Sequence, residues 1–101
     1  VIDISIKSIP NQKVSITIND IDFEISLKTT VSIIADIMMD NVVILQGVKC
    51  LPNMPIIPYR YLENGNFFFV TENEEYPDYT KFNVSQSLVY LTPSEMEDYR
   101  A

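Results

Sequence analysis

Apolar and polar residues alternate almost without error from Ile2 to Lys28. Ile2, Ile4 and Ile6 share one parity, then Val14, Ile16 and Ile18, then Ile21, Phe23, Ile25 and Leu27. A period of two means extended chain with one dry face and one wet face, and β-branched residues suit such a half-buried pleated surface. A two-residue turn at Asn19-Asp20, residue types that tolerate positive φ, pairs Ile18 with Ile21, Ile16 with Phe23 and Val14 with Ile25. Apolar then meets apolar at every step, and a slip of one residue would turn the second strand inside out. The stretch therefore predicts an antiparallel meander, opened by a first strand before the Pro10-Asn11 turn.

Residues 31–39 are apolar on both parities apart from Ser32 and Asp36. That pattern fits a short helix or a strand buried on both faces, and strand is the reading adopted. Asp40-Asn41 is a second two-residue turn, which sets Met39 against Val42 and Ile37 against Ile44, and Gly47 is expected to end the returning strand. Three prolines then fall between Val48 and Pro58. Proline cannot donate to a ladder, so this oily segment is expected to be irregular or to lie at a sheet edge, and to fold over one end of the structure. Asn64-Gly65 predicts a further hairpin, with Leu62 opposite Phe67, Tyr61 opposite Phe68 and Arg60 opposite Phe69. Residues 71–79 read as an acidic loop, 80–84 as a weak strand and Leu88 to Leu91 as a short strand. Thr92 followed by Pro93 and Glu95 is a helix start, for a helix over about 93–99. The sum is one all-β domain over residues 1–101: a small antiparallel barrel or sandwich of seven to eight short strands with a short C-terminal helix.

The totals narrow the function. At 101 residues the chain has room for one core, and 47% hydrophobic residues place it outside disordered compositions. The net charge is −7 with no histidine, which argues against nucleic acid and anionic membrane surfaces as partners. Residues 1–62 carry a net charge of −1 and residues 63–101 a net charge of −6, so a charge-steered partner is expected to meet the second half. A lone cysteine, Cys50, forms no internal disulfide and fits a reducing compartment. With no long apolar run and no leader pattern, the expectation is a soluble cytoplasmic product whose initiator methionine is removed or uncounted before Val1.

The candidate chemistry is thin. Without histidine, serine triads and the usual zinc sites are excluded in their common forms. Lys49 beside Cys50 could lower a thiol pKa, but a small buried hydrophobe is the better reading. Asp20, Asp22 and Glu24 suggest calcium at first sight. In a strand, however, Asp22 and Glu24 stand roughly 7 Å apart, too wide for one ion held at about 2.4 Å. Glu72, Glu74, Glu75 and Asp78 read first as an exposed acidic loop and second as a docking surface for a basic partner; the alternative reading makes them part of a carbohydrate or small-ligand site, with calcium as a candidate requirement. Tyr59, Tyr61, Phe67, Phe68 and Phe69 put aromatics on both parities of one hairpin, which belongs in the core or under another subunit. The candidate interface therefore comprises Tyr59, Tyr61, Phe67, Phe68, Phe69, Glu72, Glu74, Glu75, Tyr76 and Tyr79, with no catalytic, cofactor or metal residues assigned.

The order of features resembles the baseplate plug proteins of contractile-tailed bacteriophages, of the cyanophage type. Ile9-Pro10-Asn11-Gln12-Lys13 matches their early strand, proline and glutamine, and Ile16 to Leu27 their short-tipped hairpin. Asp36-Ile37, Asp40-Asn41 and Ile44-Leu45-Gln46-Gly47-Val48 follow in the expected places. So do Asn64-Gly65-Asn66-Phe67, Pro77-Asp78-Tyr79-Thr80, Leu88-Val89-Tyr90-Leu91 and the acidic turn from Pro93 to Glu97. The resemblance implies a β-rich structural subunit of the virion, not an enzyme and without a cofactor. It implies a homo-oligomer in a ring, beside the tail tube, hub or other baseplate proteins, assembled in the host cytoplasm.

Overall fold

The computed structural model describes residues 1–58 and 64–100. Among them the strands are β1 (Ile2–Ile4), β2 (Gln12–Ile18), β3 (Ile21–Thr29), β4 (Ile33–Met39), β5 (Val42–Lys49), β6 (Asn66–Val70) and β7 (Ser87–Leu91). A 3₁₀ turn spans Tyr79–Lys81 and helix α1 spans Pro93–Arg100. Two antiparallel sheets, in strand orders β2-β3-β4-β5 and β1-β7-β6, face each other as a sandwich and do not close into a barrel.

The meander forms in the register that the alternation predicts. Ile18 faces Ile21, Ile16 faces Phe23 and Val14 faces Ile25. Asn19 and Asp20 take φ 51° and 64°, and Asp40 and Asn41 take φ 50° and 65°, the paired left-handed conformations of a type I′ turn. The second hairpin departs from its simple register after two pairs. Met39 meets Val42 and Met38 meets Val43, but Ile37 meets Leu45 rather than Ile44, and Ala35 meets Val48. Two irregularities absorb the extra residues. Gly47 does not end β5; it lies inside it at φ 63°, the positive-φ conformation a bulge draws on. Its N–H donates to Asp36 Oδ1 at 2.6 Å, which gives the aspartate inside β4 a structural role.

β1 leaves the meander. It pairs with β7, Ile2 opposite Tyr90 and Ile4 opposite Leu88, so the first strand of the alternating stretch belongs to the second sheet. The Ser8–Gln12 turn carries the chain between the sheets. Gln12 holds it by donating to the Lys7 carbonyl at 2.7 Å and accepting from the Lys7 N–H at 2.9 Å. The expected strand over 80–84 is instead the 3₁₀ turn, closed by Asp78 accepting from the Thr80 N–H at 3.0 Å. Short polar side chains that bond the backbone two residues on favour such turns over strands. Helix α1 starts where expected, in a capping box: the Glu95 N–H donates to Thr92 Oγ1 at 3.2 Å and the Thr92 N–H to Glu95 Oε1 at 2.9 Å.

One core fills the space between the sheets, with Ile25, Leu27, Ala35 and Ile37 from one and Phe67, Phe69, Leu88 and Tyr90 from the other. Phe23 joins the two, its ring 5.2 Å from Phe67 and 5.9 Å from Tyr90. A second cluster lies outside the three-stranded sheet, where Met96 of α1 covers Phe68 and Val89. Tyr99 adds an edge contact on Phe68 at 5.1 Å.

Cys50 belongs to the main core, and burial pushes its thiol from 9.0 up to about 12. A buried thiol that resists ionisation stays unreactive. Its contribution to stability is complete below pH 9 and is lost as the pH rises toward 12, where the unfolded thiol ionises first. Denaturant midpoints measured across that interval should fall more steeply for the native chain than for Cys50→Ala.

Candidate functional site

The ten candidate interface residues separate into three groups. Tyr59 and Tyr61 lie outside the described residues, as does the expected pairing of 60–62 with 67–69. Phe67, Phe68 and Phe69 are buried within this chain. The helix explains why both parities of β6 are aromatic. Phe67 and Phe69 enter the space between the sheets, and Phe68 lies beneath α1. Each face of the strand is thus covered from within.

Both edges of β6 are occupied too. β7 takes one, and the proline segment takes the other, with Pro52 opposite Phe69 and Pro55 opposite Phe68. The prolines donate nothing, so their neighbours do: the Asn53 N–H reaches the Phe69 carbonyl and the Ile56 N–H the Phe67 carbonyl, both at 2.9 Å. The Asn66 side chain completes the join by accepting from the Ile57 N–H and donating to the Ile57 carbonyl, each at 2.9 Å. Alternation gives no sign of this arrangement. The side chains that make it are Asn53, between two of the prolines, and Asn66, at the start of β6, each of which bonds a backbone N–H across the join.

Glu72, Glu74, Glu75, Tyr76 and Tyr79 form the third group, on one surface segment. Asn73 and Glu74 take φ 54° and 55°, and the Glu75 N–H donates to the Glu72 carbonyl at 3.1 Å, closing a tight turn. Buried Gln86 anchors the chain from Tyr76 to Asp78, accepting from the Asp78 N–H at 2.8 Å and donating to the Tyr76 carbonyl at 3.1 Å. Some of the acids are already matched internally. Glu75 pairs with Lys81 at 3.1 Å. The Thr80 N–H, and then its hydroxyl, hold the Asp78 carboxyl below its ordinary value. Lys49 Nζ stands 5.2 Å from the Tyr76 ring centroid, and that residue is 56% exposed. Tyr79 is half-buried against the core, and its carbonyl accepts from Ser8 Oγ at 2.6 Å.

This segment adjoins the outer side of the proline segment. Leu51, Pro52, Asn53, Met54, Glu74 and Tyr76 line one groove of about 390 Å³. A second groove of about 380 Å³ runs along Val48, Leu51, Met54, Pro55, Ile57 and Arg100. The result is a shallow, mostly apolar surface with acidic residues at one margin. It offers contact area, and no group of three or more acids or cysteines able to hold a metal is present among the described residues. Asp22 and Glu24 lie apart on the outer face of the meander, Asp22 accepting from Thr17 Oγ1 and Glu24 paired with Lys13, both at 2.6 Å.

Other apolar side chains are exposed without any signal in the sequence. Val31 is fully exposed, Val84 nearly so, and Val42 and Val43 stand out on β5. A lone valine in a loop carries no periodic signal, so nothing in the sequence marks it as exposed.

Compared with known proteins, residues 1–94 match the family model described as cyanophage baseplate Pam3 plug gp18. No curated protein matches the chain.

Proposed function

The chain belongs to the cyanophage baseplate plug family, and from that premise we propose that it is a plug subunit near the hub of a contractile phage tail. It works by assembly with copies of itself, as a ring, and with tube, hub or other baseplate proteins. The observation that carries this reading is the family match across residues 1–94. The surface supports it. Val31, Met54, Tyr76 and Val84 are exposed, and the grooves along 48–58 present apolar area to a partner, while Glu75 and Asp78 nearby already have uses within the fold. Single exposed apolar residues are ordinary; a continuous shallow apolar surface is what subunit contacts occupy.

Purified virions tested by mass spectrometry and cross-linking should contain the chain, linked to hub or tube proteins through residues 48–58 or 72–79. Phage lacking it should yield no complete tails. Tails that form and contract normally without it would refute the proposal.

A further inference from the structure

Among the described residues, β2 is a sheet edge left open while the edges around it are closed or spoiled. The free side of β6 is taken by residues 52–57, β5 is broken by two irregularities, and β1 has three residues. β2 runs seven residues from Gln12 to Ile18 with no proline and no bulge, and pairs only with β3 among the described strands. Long regular edges usually carry a blocking device or a partner.

The hairpin geometry says which backbone groups are open. In a two-residue hairpin the pair flanking the turn exchanges hydrogen bonds, and bonded and non-bonded pairs then alternate. Gln12, Val14, Ile16 and Ile18 therefore point their N–H and C=O groups at β3. Lys13, Ser15 and Thr17 point theirs outward. Asp22 gives an independent check. It stands opposite Thr17, yet its N–H donates to Asp40 Oδ1 at 2.9 Å and its carbonyl accepts from the Asp40 N–H at 2.8 Å. Its backbone is turned away from β2, so the Thr17–Asp22 pair is non-bonded and Thr17 faces out.

Beside this edge lies a groove of about 440 Å³, lined by Ser5, Lys7, Ile9 and the consecutive residues Gln12 to Ser15. Consecutive residues of both parities line a strand's side, not a face. The groove lining holds Lys7, Lys13 and no carboxylate, with Lys13 bridged to Glu24 of the neighbouring strand, in a chain of net charge −7.

We propose that two copies of this chain join by antiparallel pairing of β2 with β2 about a two-fold axis at Ser15. The inference deepens the assembly reading above and rests on it. In this register Ser15 pairs with Ser15 of the second copy and Lys13 with Thr17, so every outward N–H and C=O finds a partner. On the inner parity Val14, half-buried in the single chain, meets Ile16 of the second copy twice over. Lys13 comes opposite the Thr17 that holds Asp22. Gln12, which ties Lys7, faces Ile18 at the base of the Asn19-Asp20 tip. Lys7 is thereby carried toward Asp20 of the second copy, while Lys13 stays bridged to Glu24 of its own chain at 2.6 Å, and symmetry repeats the match. An isologous contact closes on itself, so it makes pairs, and a ring must draw on other surfaces.

Sedimentation and hydrogen exchange of the purified chain test this. At tens of micromolar it should sediment as a dimer, with the amides of Lys13, Ser15 and Thr17 protected and losing protection on dilution. Ser15→Pro removes one outward N–H and none from the β2–β3 ladder, so it should sediment as a monomer with an unchanged far-ultraviolet spectrum. If that variant does not fold, Lys7→Glu serves instead and should raise the dimer dissociation constant several-fold, the difference narrowing with salt. A monomeric native chain overturns the proposal, and a strand of another protein on this edge would leave it monomeric. A larger oligomer or dimer that both variants leave intact overturns it too. A monomer that still enters baseplates sinks the pairing alone; a dimer absent from virions sinks the baseplate reading alone.

Discussion

Gly65→Ala should destabilise the protein severely, with a melting point at least about 12 °C lower for a loss of roughly 3 kcal/mol or more in a domain of this size. Two separate costs arise at this position. Gly65 has φ 74°, and an L-residue pays about 1–2 kcal/mol in the left-handed region. A Cβ there would also lie within 2.2 Å of the Tyr90 hydroxyl and 2.5 Å of the Leu91 carbonyl oxygen. The backbone oxygen cannot move without disturbing β7. Nor can the tyrosine move cheaply, because its hydroxyl donates to the Asn64 carbonyl at 2.9 Å and its ring is buried against Phe67 and Phe23. Forcing extra volume into such a site costs about 1–3 kcal/mol more. Thermal denaturation by circular dichroism measures the shift, and an unchanged midpoint would show that the Asn64–Gly65 turn and Tyr90 are not packed as described.

Phe67→Ala should be comparable, at about 3–5 kcal/mol, the usual range for truncating a fully buried aromatic. Phe67 is the point where the sheets meet. Its ring contacts Phe23 at 5.2 Å and Tyr90 at 5.3 Å, and neither neighbour can relax into the gap while its own strand stays in the ladder. Phe68→Ala gives a useful contrast. It removes the ring under Met96 and Tyr99 and should loosen α1 more than the sandwich. Urea unfolding followed by β-sheet and tyrosine signals separates the two. Equal, small losses at both positions would return the aromatic strand to a subunit interface, where the sequence alone also allowed it to lie.

The location of the apolar surface bears on assembly. The aromatics of β6, which suggest an interface or a core in the sequence, are used inside the fold, and the apolar side chains left exposed are mainly valines, with Ile2, Ile9, Met54, Tyr76 and Tyr99. Such a surface suits packing between rigid subunits, since it rests on a β framework whose core is complete in one chain.

The sequence by itself determined the elements whose cause is local. Period-two alternation and the Asn19-Asp20 turn specify the β2–β3 hairpin down to the pairing Ile18–Ile21, because a wrong register would expose a whole face at once. The Asp40-Asn41 turn places the β4–β5 hairpin, though the two-sided apolar run of β4 also allowed a helix, and the bulges that shift the register beyond Met38 left no local signal. A threonine, a proline and a glutamate specify the start of α1, because capping acts within one helical turn. Cys50 was legible as a buried hydrophobe, since a lone thiol without a histidine has little else to do. The acidic segment was legible as a surface, since charge stays in water.

Only the tertiary structure decided what depends on distant partners. Ile2 to Ile4 has the same parity as the meander, yet it pairs with β7, at the far end of the chain. Alternation states which face is dry but not which sheet covers it. Phe67 to Phe69 are apolar on both sides, and only the position of α1 shows that the second side is covered from within. The proline segment takes an edge of β6, because Asn53, Ile56 and Asn66 supply the bonds that proline cannot. Even the open edge of β2 is a tertiary fact: a strand's free side exists only once every other strand has chosen its neighbour. Turn chemistry and hydrophobic period act over a few residues, whereas coverage of a face or an edge is settled by the whole chain at once.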